Sequence, residues 1–247
     1  MLEKIDGIII KTKDYGETHK IVTIFSKKIG KFSAIARGAK KPKSRMAAVT
    51  QPFIYGQFFV YINKGLSTIQ QGEILDSFRN IREDIIKTAH AAYLVELTDK
   101  LLDENVPNME VYTQLFKTME WINENDDVDI PVMMYEMKLF RTGGFAPTVH
   151  QCTNCGEKGA PFSFSIVEGG LLCQKCQHID PDSIELPNAV VKLLFLFSSV
   201  GLERVGNVSV KDENRLLLRG LIDAYYERYG GYYLKSQKFL KQIDKLK

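Results

Sequence analysis

The first 76 residues alternate short apolar runs with turn residues, a pattern typical of β-strands. Five such strands are predicted, over residues 7–12, 19–26, 31–37, 52–62 and 66–75. Because they leave no room for a crossover helix, they predict a small closed antiparallel barrel. An SH3-like barrel fits the strand count nearly as well. We favour the five-stranded OB type, because the long loops of such barrels bind nucleic acid.

Beyond residue 80 the apolar positions recur with a helical period. Asn108 suits the N-cap of a helix that ends near Asn123. Pro131 suits the first position of the next helix, which Gly143 and Gly144 close. The other predicted helices cover residues 81–102, 188–200, 211–229 and 235–246. The whole pattern predicts an α+β protein, in which an N-terminal OB-type β-barrel is followed by an all-α body.

Charge divides the 247-residue chain at about the same place. Residues 1–80 carry 14 Lys and Arg against 6 Asp and Glu, whereas residues 81–247 carry 19 against 24. This polarisation indicates a basic module that meets a polyanion, joined to a body with another task. We therefore expect an OB-fold nucleic-acid-binding domain over residues 1–80 and a helical domain over residues 81–247.

The chain shows neither a secretory signal nor an apolar run long enough to cross a bilayer. We therefore expect a cytoplasmic protein without membrane association. In that compartment cysteines stay reduced, so disulfide bonds are not expected.

All four cysteines fall into one spaced pattern. Cys152 and Cys155 form one C-x-x-C pair, Cys173 and Cys176 form another, and 17 residues separate the pairs. This spacing is typical of zinc ribbons. Four thiolates complete a tetrahedron and leave no position for water, so the ion would be structural. The pattern predicts one Zn²⁺ per chain, in an insertion at about residues 148–182, with four buried or redox-active thiols as the alternative.

Catalytic chemistry is poorly supplied. The sequence has no Walker phosphate loop, no dinucleotide-binding glycine motif, no nucleophile elbow and no metalloprotease motif. Only four histidines are present. Two of them, His150 and His178, flank the cysteine pairs and are alternative ligands, although we expect them to be only neighbours. We interpret the protein as a binding factor and not as an enzyme.

The run from Lys27 to Arg45 contains eight basic residues and no acidic one. Lysine and arginine bind phosphates through charge and hydrogen bonds. A charge run alone is usually a solvated loop, but between strands of an OB-type barrel it predicts a nucleic-acid channel. The expected contacts are Lys27, Lys28, Lys31, Arg37, Lys40, Lys41, Lys43 and Arg45.

The strand predicted over residues 52–62 separates its side chains by kind. Its even positions are mainly aliphatic, and its odd positions are Phe53, Tyr55, Gln57, Phe59 and Tyr61. Strand alternation places the two sets on opposite faces. An exposed aromatic row can stack single-stranded bases, but in a strand this apolar we expect the rings to pack under the helical body.

Four segments between residues 7 and 240 follow the order of one known family. They read GIIIKTKDYGETHKIVTIFSKKIGKFSAIARGAKKPKS, YEMKLFRTGGFAPTVHQCTNCG, LLCQKC and YYLKSQKFL. Each segment is loose, but together they are specific. With them the chain resembles the bacterial RecO family of recombination mediator proteins.

This resemblance implies an OB domain followed by a helical body, with the zinc-binding element that many members contain. It also implies a nucleoid-associated protein that binds single- and double-stranded DNA and anneals complementary strands. The implied partners are RecR and SSB, and RecA indirectly, because the family lets RecA load on SSB-coated strands. Carried over by position, the DNA contacts would be Arg37, Lys40, Lys41, Lys43 and Arg45.

The resemblance further implies contact with the acidic C-terminal tail of SSB, which requires an apolar groove rimmed by cations. A helix over residues 235–246 would place an apolar stripe beside a row of lysines. The stripe is Phe239, Leu240, Ile243 and Leu246, and the lysines are Lys235, Lys238, Lys241 and Lys245. A packed terminal helix is the alternative. The expected partner contacts are Lys235, Lys238, Phe239, Lys241 and Ile243.

Two other functions stay open. A zinc-ribbon transcription or translation factor would also join an OB barrel to four cysteines, and it would bind RNA without annealing DNA. A metal-dependent nucleic-acid enzyme is the third class. Annealing of complementary oligonucleotides distinguishes a recombination mediator from these two alternatives.

Overall fold

The computed structural model describes residues 1–159, 161–205 and 209–244, which form two compact units. The first unit holds residues 1–128 and the C-terminal segment that starts at Leu234, and the second holds residues 129–233. Over the described residues, every helix is too short or too polar to cross a membrane.

The N-terminal strands close into a barrel in the order β1-β2-β3-β5-β4. They are β1 (Leu2–Tyr15), β2 (His19–Ser26), β3 (Gly30–Ala36), β4 (Tyr55–Tyr61) and β5 (Ser67–Asp76). β3 and β5 pair in parallel, the other neighbours are antiparallel, and the short helix α1 (Arg45–Val49) links β3 to β4. This is the OB arrangement, so the predicted fold class is confirmed and the SH3-like alternative does not apply.

The inward-facing side chains of the strands form the core of the barrel. Its centre is apolar and fully buried, and includes Ile9, Val22, Ile24, Phe58 and Val60. Gly56 leaves space for the Phe58 ring, because a Cβ there would lie 2.8 Å from a ring carbon. The alternation noted in the sequence of β4 therefore sorts core from surface, as strand geometry requires.

The remaining helices are α2 (Arg79–Glu83), α3 (Ile85–Leu101), α4 (Met109–Glu124), α5 (Asp129–Thr142), α6 (Asn188–Ser199), α7 (Asp212–Tyr229) and α8 (Lys235–Asp244). The single helix predicted over residues 81–102 is wrong. Asp84 has extended backbone angles, and its carboxylate accepts hydrogen bonds from the amides of Ile86 and Lys87. It therefore ends α2 and caps α3. The predicted cap at Asn108 is confirmed, because its side chain accepts from Val111 N at 3.0 Å.

The second unit packs α5, α6 and α7 together, and a partly buried ion pair joins α5 to α7. Glu136 is fully buried, and the Arg219 guanidinium binds it through two bonds of 2.6 and 2.8 Å. The body predicted as all-α also contains a small sheet in the order β7-β6-β8. Its strands are β6 (Phe162–Ser165), β7 (Gly170–Cys173) and β8 (Ile184–Glu185). Strands of two to four residues are too short to show alternation, so the sequence pattern missed them.

Candidate metal centre and nucleic-acid interface

The four cysteine sulfurs converge on one point. All four lie within 4.8 Å of one another, and Cys155 Sγ lies 3.6 Å from Cys173 Sγ. Zn–S bonds of about 2.3 Å place tetrahedral thiolates about 3.8 Å apart, whereas a disulfide needs about 2.05 Å. The predicted quartet is confirmed as a group able to hold a metal ion, and its spacing suits an ion better than a disulfide.

Each cysteine pair lies in a tight, hydrogen-bonded turn. In the first pair, Cys152 N donates to Glu157 O at 2.8 Å and Gly156 N donates to Cys152 O at 3.0 Å. Gly156 has φ +76°, a left-handed conformation that glycine adopts without strain. In the second pair, Cys173 ends β7 and its carbonyl accepts from Cys176 N at 2.8 Å.

Two contacts join the turns to each other. Thr153 N donates to Leu171 O at 2.7 Å, which ties the first turn to β7. The Asn154 amide donates to Cys176 Sγ at 3.3 Å. Donors to ligating atoms orient them and tune a metal site. Sequence reasoning missed Asn154, for which the only signal was an amide side chain inside a C-x-x-C turn.

The backbone favours an ionised thiol at Cys152. Burial raises the pKa of this thiol, but the amides of Cys155, Cys173 and Asn154 outweigh that effect and lower the pKa to about 6. The thiolate is the form that binds metals. The turns therefore prepare one ligand in the state that coordination requires.

The donor set consists of sulfur alone. His150 and His178 are exposed, and neither belongs to the metal-binding group found among the described residues. The expectation that they are neighbours rather than ligands agrees with this placement. An ion held by this group would therefore have sulfur ligands alone among the described residues.

The eight basic residues do not form one cluster. β3 separates them, and a strand of seven residues spans about 20 Å. Lys27 and Lys28 lie before β3, and we call them the turn pair. Lys28 Nζ bonds Glu3 Oε2 at 2.6 Å, so the turn pair sits beside the start of β1. The residues after β3 form the basic loop, which is Arg37, Lys40, Lys41, Lys43 and Arg45.

Lys31 belongs to neither group. Its side chain is buried, and its Nζ donates to Asp99 O at 2.5 Å and lies 3.4 Å from Asp99 Oδ1. A buried lysine paired in this way cannot reach a phosphate. We therefore correct the expected DNA contacts by removing Lys31, whose role is to hold β3 against α3.

The basic loop is folded onto the turn between β1 and β2. Lys41 N donates to Gly38 O at 3.0 Å, while Gly38 N donates to His19 Nδ1 at 3.0 Å and Lys40 N to Thr18 O at 2.9 Å. The loop therefore presents its cations from an ordered scaffold. Sequence reasoning missed the anchoring role of His19, because it depends on pairing between strands.

Most cations of the basic loop are exposed. Arg37, Lys41, Lys43 and Arg45 form no ion pair with any described residue. Lys40 instead bonds Asp14 Oδ2 at 2.7 Å. That hydrogen bond lowers the pKa of the Asp14 carboxyl, and the charge of Lys20, which faces Asp14 across the strands, lowers it further. Asp14 and Lys20 are therefore charged neighbours of the basic loop that the charge run did not reveal.

Two family models match almost the whole chain. The family model described as Recombination protein O N terminal matches residues 1–78, and the one described as Recombination protein O C terminal matches residues 82–238. The chain is 62% identical to the DNA repair protein RecO of Oceanobacillus iheyensis over 244 residues, which cover 99% of this chain and 95% of that protein. The chain belongs to the RecO family. RecO of Bacillus subtilis is 42% identical over 247 residues, which cover 100% of this chain and 97% of the relative.

In this RecO-family chain, α8 packs on α3 within the first unit. Leu240 and Ile243 are buried there. The Glu96 carboxylate accepts hydrogen bonds from the amides of Lys235 and Ser236, at 3.3 and 2.8 Å, and so holds the start of α8. Much of the expected apolar stripe is therefore covered, as in the alternative of a packed terminal helix.

The residues expected to contact the partner differ in solvent exposure. Ile243 is removed from the expected set because it is buried, whereas Phe239 is 42% exposed. Lys235 and Lys238 are exposed, and Lys241 is half-buried. Lys245 and Leu246 lie outside the described residues.

Proposed function

We propose that this chain is a DNA repair and homologous recombination mediator that binds DNA, anneals complementary strands and helps RecA load on SSB-coated single strands. Membership of the RecO family supports the repair role. The observation that carries the proposal is the ordered basic loop on an OB barrel, with four cations unpaired among the described residues.

The chemistry of the basic loop suits annealing. Its cations neutralise phosphates, which lowers the repulsion between two strands brought together. Lysines act as point charges and make no bidentate contacts that would depend on one backbone geometry. Binding through phosphates leaves base edges free to pair, so we expect binding to both single- and double-stranded DNA without sequence preference.

We further propose that the module for this binding ends near residue 80, and that the protein is not an enzyme. One matched family region ends at residue 78 and the other begins at residue 82, which supports this boundary. The cysteine group supports a non-catalytic role, because four sulfur donors leave no open position for a substrate or water.

The metal that we propose is one structural Zn²⁺ per chain, held by Cys152, Cys155, Cys173 and Cys176. A tetrahedral all-sulfur set is typical of structural zinc. Elemental analysis of protein purified under reducing conditions without chelators should find about one zinc per chain. Protein without metal, or with another metal in stoichiometric amount, would contradict this assignment.

The partners that we propose are RecR and the C-terminal tail of SSB, with RecA reached indirectly. For the SSB tail, the exposed start of α8 supports a contact that includes Lys235, Lys238 and Phe239. A groove of about 570 Å³ adjoins it in the first unit, lined by apolar Phe53 and Val95 among others and by the cations Lys11, Lys100 and Lys235. The carboxylates Glu96 and Asp99 also line it, but Glu96 accepts hydrogen bonds from the start of α8 and Asp99 is paired with Lys11 and Lys31. An acidic tail with apolar side chains fits such a groove.

The SSB contact is tested with a labelled tail peptide. Truncation of α8 would uncover α3, so point variants are better. Phe239→Ala and Lys235→Glu should weaken peptide binding, whereas Phe195→Ala, at a similarly exposed aromatic on α6, should not. Undiminished affinity in both α8 variants would place the partner elsewhere.

Annealing of SSB-coated complementary oligonucleotides tests the main function. Wild type should speed annealing, and the triple variant Lys40→Ala, Lys41→Ala, Lys43→Ala should lose most of that effect. The charge-matched control replaces Lys117, Lys192 and Lys211, which lie on or beside helices outside the barrel. Failure of wild type to anneal DNA while it binds RNA tightly would favour the transcription or translation factor instead.

A further inference from the structure

The aromatic row of β4 is divided into a covered half and an open half. Phe53, which precedes β4, is buried, and the Tyr55 ring packs edge-on against Phe116 of α4 with 4.8 Å between centroids. There the expected packing under helices holds. Further along the same face, Phe59 is half-buried and Tyr61 is 45% exposed. The helix therefore covers only the first part of the row.

The neighbouring strand extends the open half. Leu2 pairs with Tyr61 and Lys4 pairs with Phe59 across β1 and β4. Leu2 is 46% exposed, and the Lys4 ammonium lies 6.0 Å from the centre of the Phe59 ring. We call Leu2, Lys4, Phe59 and Tyr61 the aromatic patch. It is a continuous face of two rings, one aliphatic side chain and one cation.

A further cation borders the aromatic patch. The turn pair is not part of this border, because Lys28 bonds Glu3, whose side chain lies on the opposite face of β1 from Leu2 and Lys4. Lys64 lies in the turn directly after β4 and is exposed. Two carboxylates lie on the same face toward the covered half, because Asp6 and Glu73 both pair with Gln57 across the strands. Asp6 accepts a hydrogen bond from Gln57 at 2.9 Å. The patch therefore combines one exposed and one half-buried ring with the positive charges of Lys4 and Lys64, and it is separate from the basic loop.

We propose that the aromatic patch stacks the bases of single-stranded nucleic acid, while Lys4 and Lys64 contact the adjoining phosphates. This inference rests on the proposed DNA-binding function and adds a second contact to it. Exposed rings stack any base, because every base has a π-face, and neighbouring cations hold the backbone. Duplex bases are already stacked on each other. The patch therefore selects single strands, whereas the basic loop binds the phosphates of both forms.

The test compares single- and double-stranded DNA binding by full-length variants. Tyr61→Ala should weaken single-strand binding by about tenfold, as expected for loss of one stacked base, and leave duplex binding unchanged. Tyr61→Phe keeps the ring and should bind as wild type does. Phe195→Ala removes an aromatic that is 49% exposed on α6 and should change neither affinity.

A second measurement needs no variant. Single-stranded DNA containing bromodeoxyuridine, bound to wild type and irradiated, should give a crosslink that mass spectrometry places at Phe59 or Tyr61. Crosslinks found only elsewhere would overturn the proposal.

The outcomes separate this inference from the proposed function. Wild type that binds no DNA would refute the proposed function and the inference with it. Wild type that binds DNA, with Tyr61→Ala equal to it on single strands, would overturn the inference alone. Unchanged DNA binding with altered sedimentation of Tyr61→Ala would also overturn it, in favour of contact between copies of the chain.

Discussion

The cysteine group and the basic loop are held in place by opposite means. Four sulfurs lie within 4.8 Å of one another, and hydrogen-bonded turns hold both cysteine pairs. The basic loop spreads five cations over a surface; its backbone is anchored at Thr18 and His19, and the Lys40 side chain is held by Asp14. A metal ion needs all of its ligands at once, whereas a polyanion adds one contact for each cation.

This difference sets how each region should respond to substitution. Loss of one cysteine leaves three sulfur ligands, which cannot complete a tetrahedral site. Loss of one lysine removes one of several similar and independent contacts. We therefore expect an all-or-none response in the cysteine group and a graded response in the basic loop.

The largest expected effect comes from Cys173→Ser. Metal content should fall from about one ion per chain toward zero, and the second unit should melt at a lower temperature, because metal binding contributes to folding free energy. His178→Ala is the matched control, since this exposed neighbour lies outside the donor set. Full metal content and an unchanged melting temperature in Cys173→Ser would show that the four sulfurs do not act together.

The second-largest effect is expected from Lys31→Met. This variant distinguishes a lysine that stabilises the fold from the surface lysines of the same basic run. Removing the bond to Asp99 should lower the free energy of unfolding by about 2 kcal/mol, as for other hydrogen bonds from charged groups. The salt dependence of DNA binding should not change. Lys43→Met should show the reverse pattern. Urea unfolding and DNA titration check both, and a reduced salt slope with unchanged stability in Lys31→Met would return this lysine to the DNA surface.

Asp14→Asn should have the smallest effect, and it should be favourable to binding. It releases Lys40 from its 2.7 Å ion pair and so adds one available cation. For single strands the log–log salt slope should become steeper by about 0.7. Glu17→Gln changes net charge equally on the same turn without touching Lys40. If both variants tighten binding alike, the effect is general charge and not release of Lys40.

Local signals account for what the sequence could predict. β2 was predicted over its full observed length, because its run of apolar residues is bounded by turns on both sides. The cysteine group was predicted because C-x-x-C spacing alone brings two sulfurs together. Asn108 could be assigned as a cap because its bond closes within three residues.

What could not be predicted depends on contacts distant in sequence. Lys31 looks like any other cation of its run, and only Asp99, 68 residues away, makes it structural. The aromatic row of β4 reads as one surface, yet Phe116 of α4 covers Tyr55 and leaves Tyr61 open. The break at Asp84 between α2 and α3 was not predicted for a different reason. The apolar periodicity continues across Asp84, whereas the helical backbone is interrupted there.

The central claim is that the basic loop is the phosphate contact, and the salt dependence of single-stranded DNA binding tests it most directly. The four loop cations without an ion pair among the described residues should contribute a log–log slope of about −3. The triple variant Lys40→Ala, Lys41→Ala, Lys43→Ala removes two of those four together with Lys40, so its slope should be shallower by about 1.4. The triple variant replacing Lys117, Lys192 and Lys211 should keep the wild-type slope. An unchanged slope in the loop variant, with its fold verified by circular dichroism, would contradict the account.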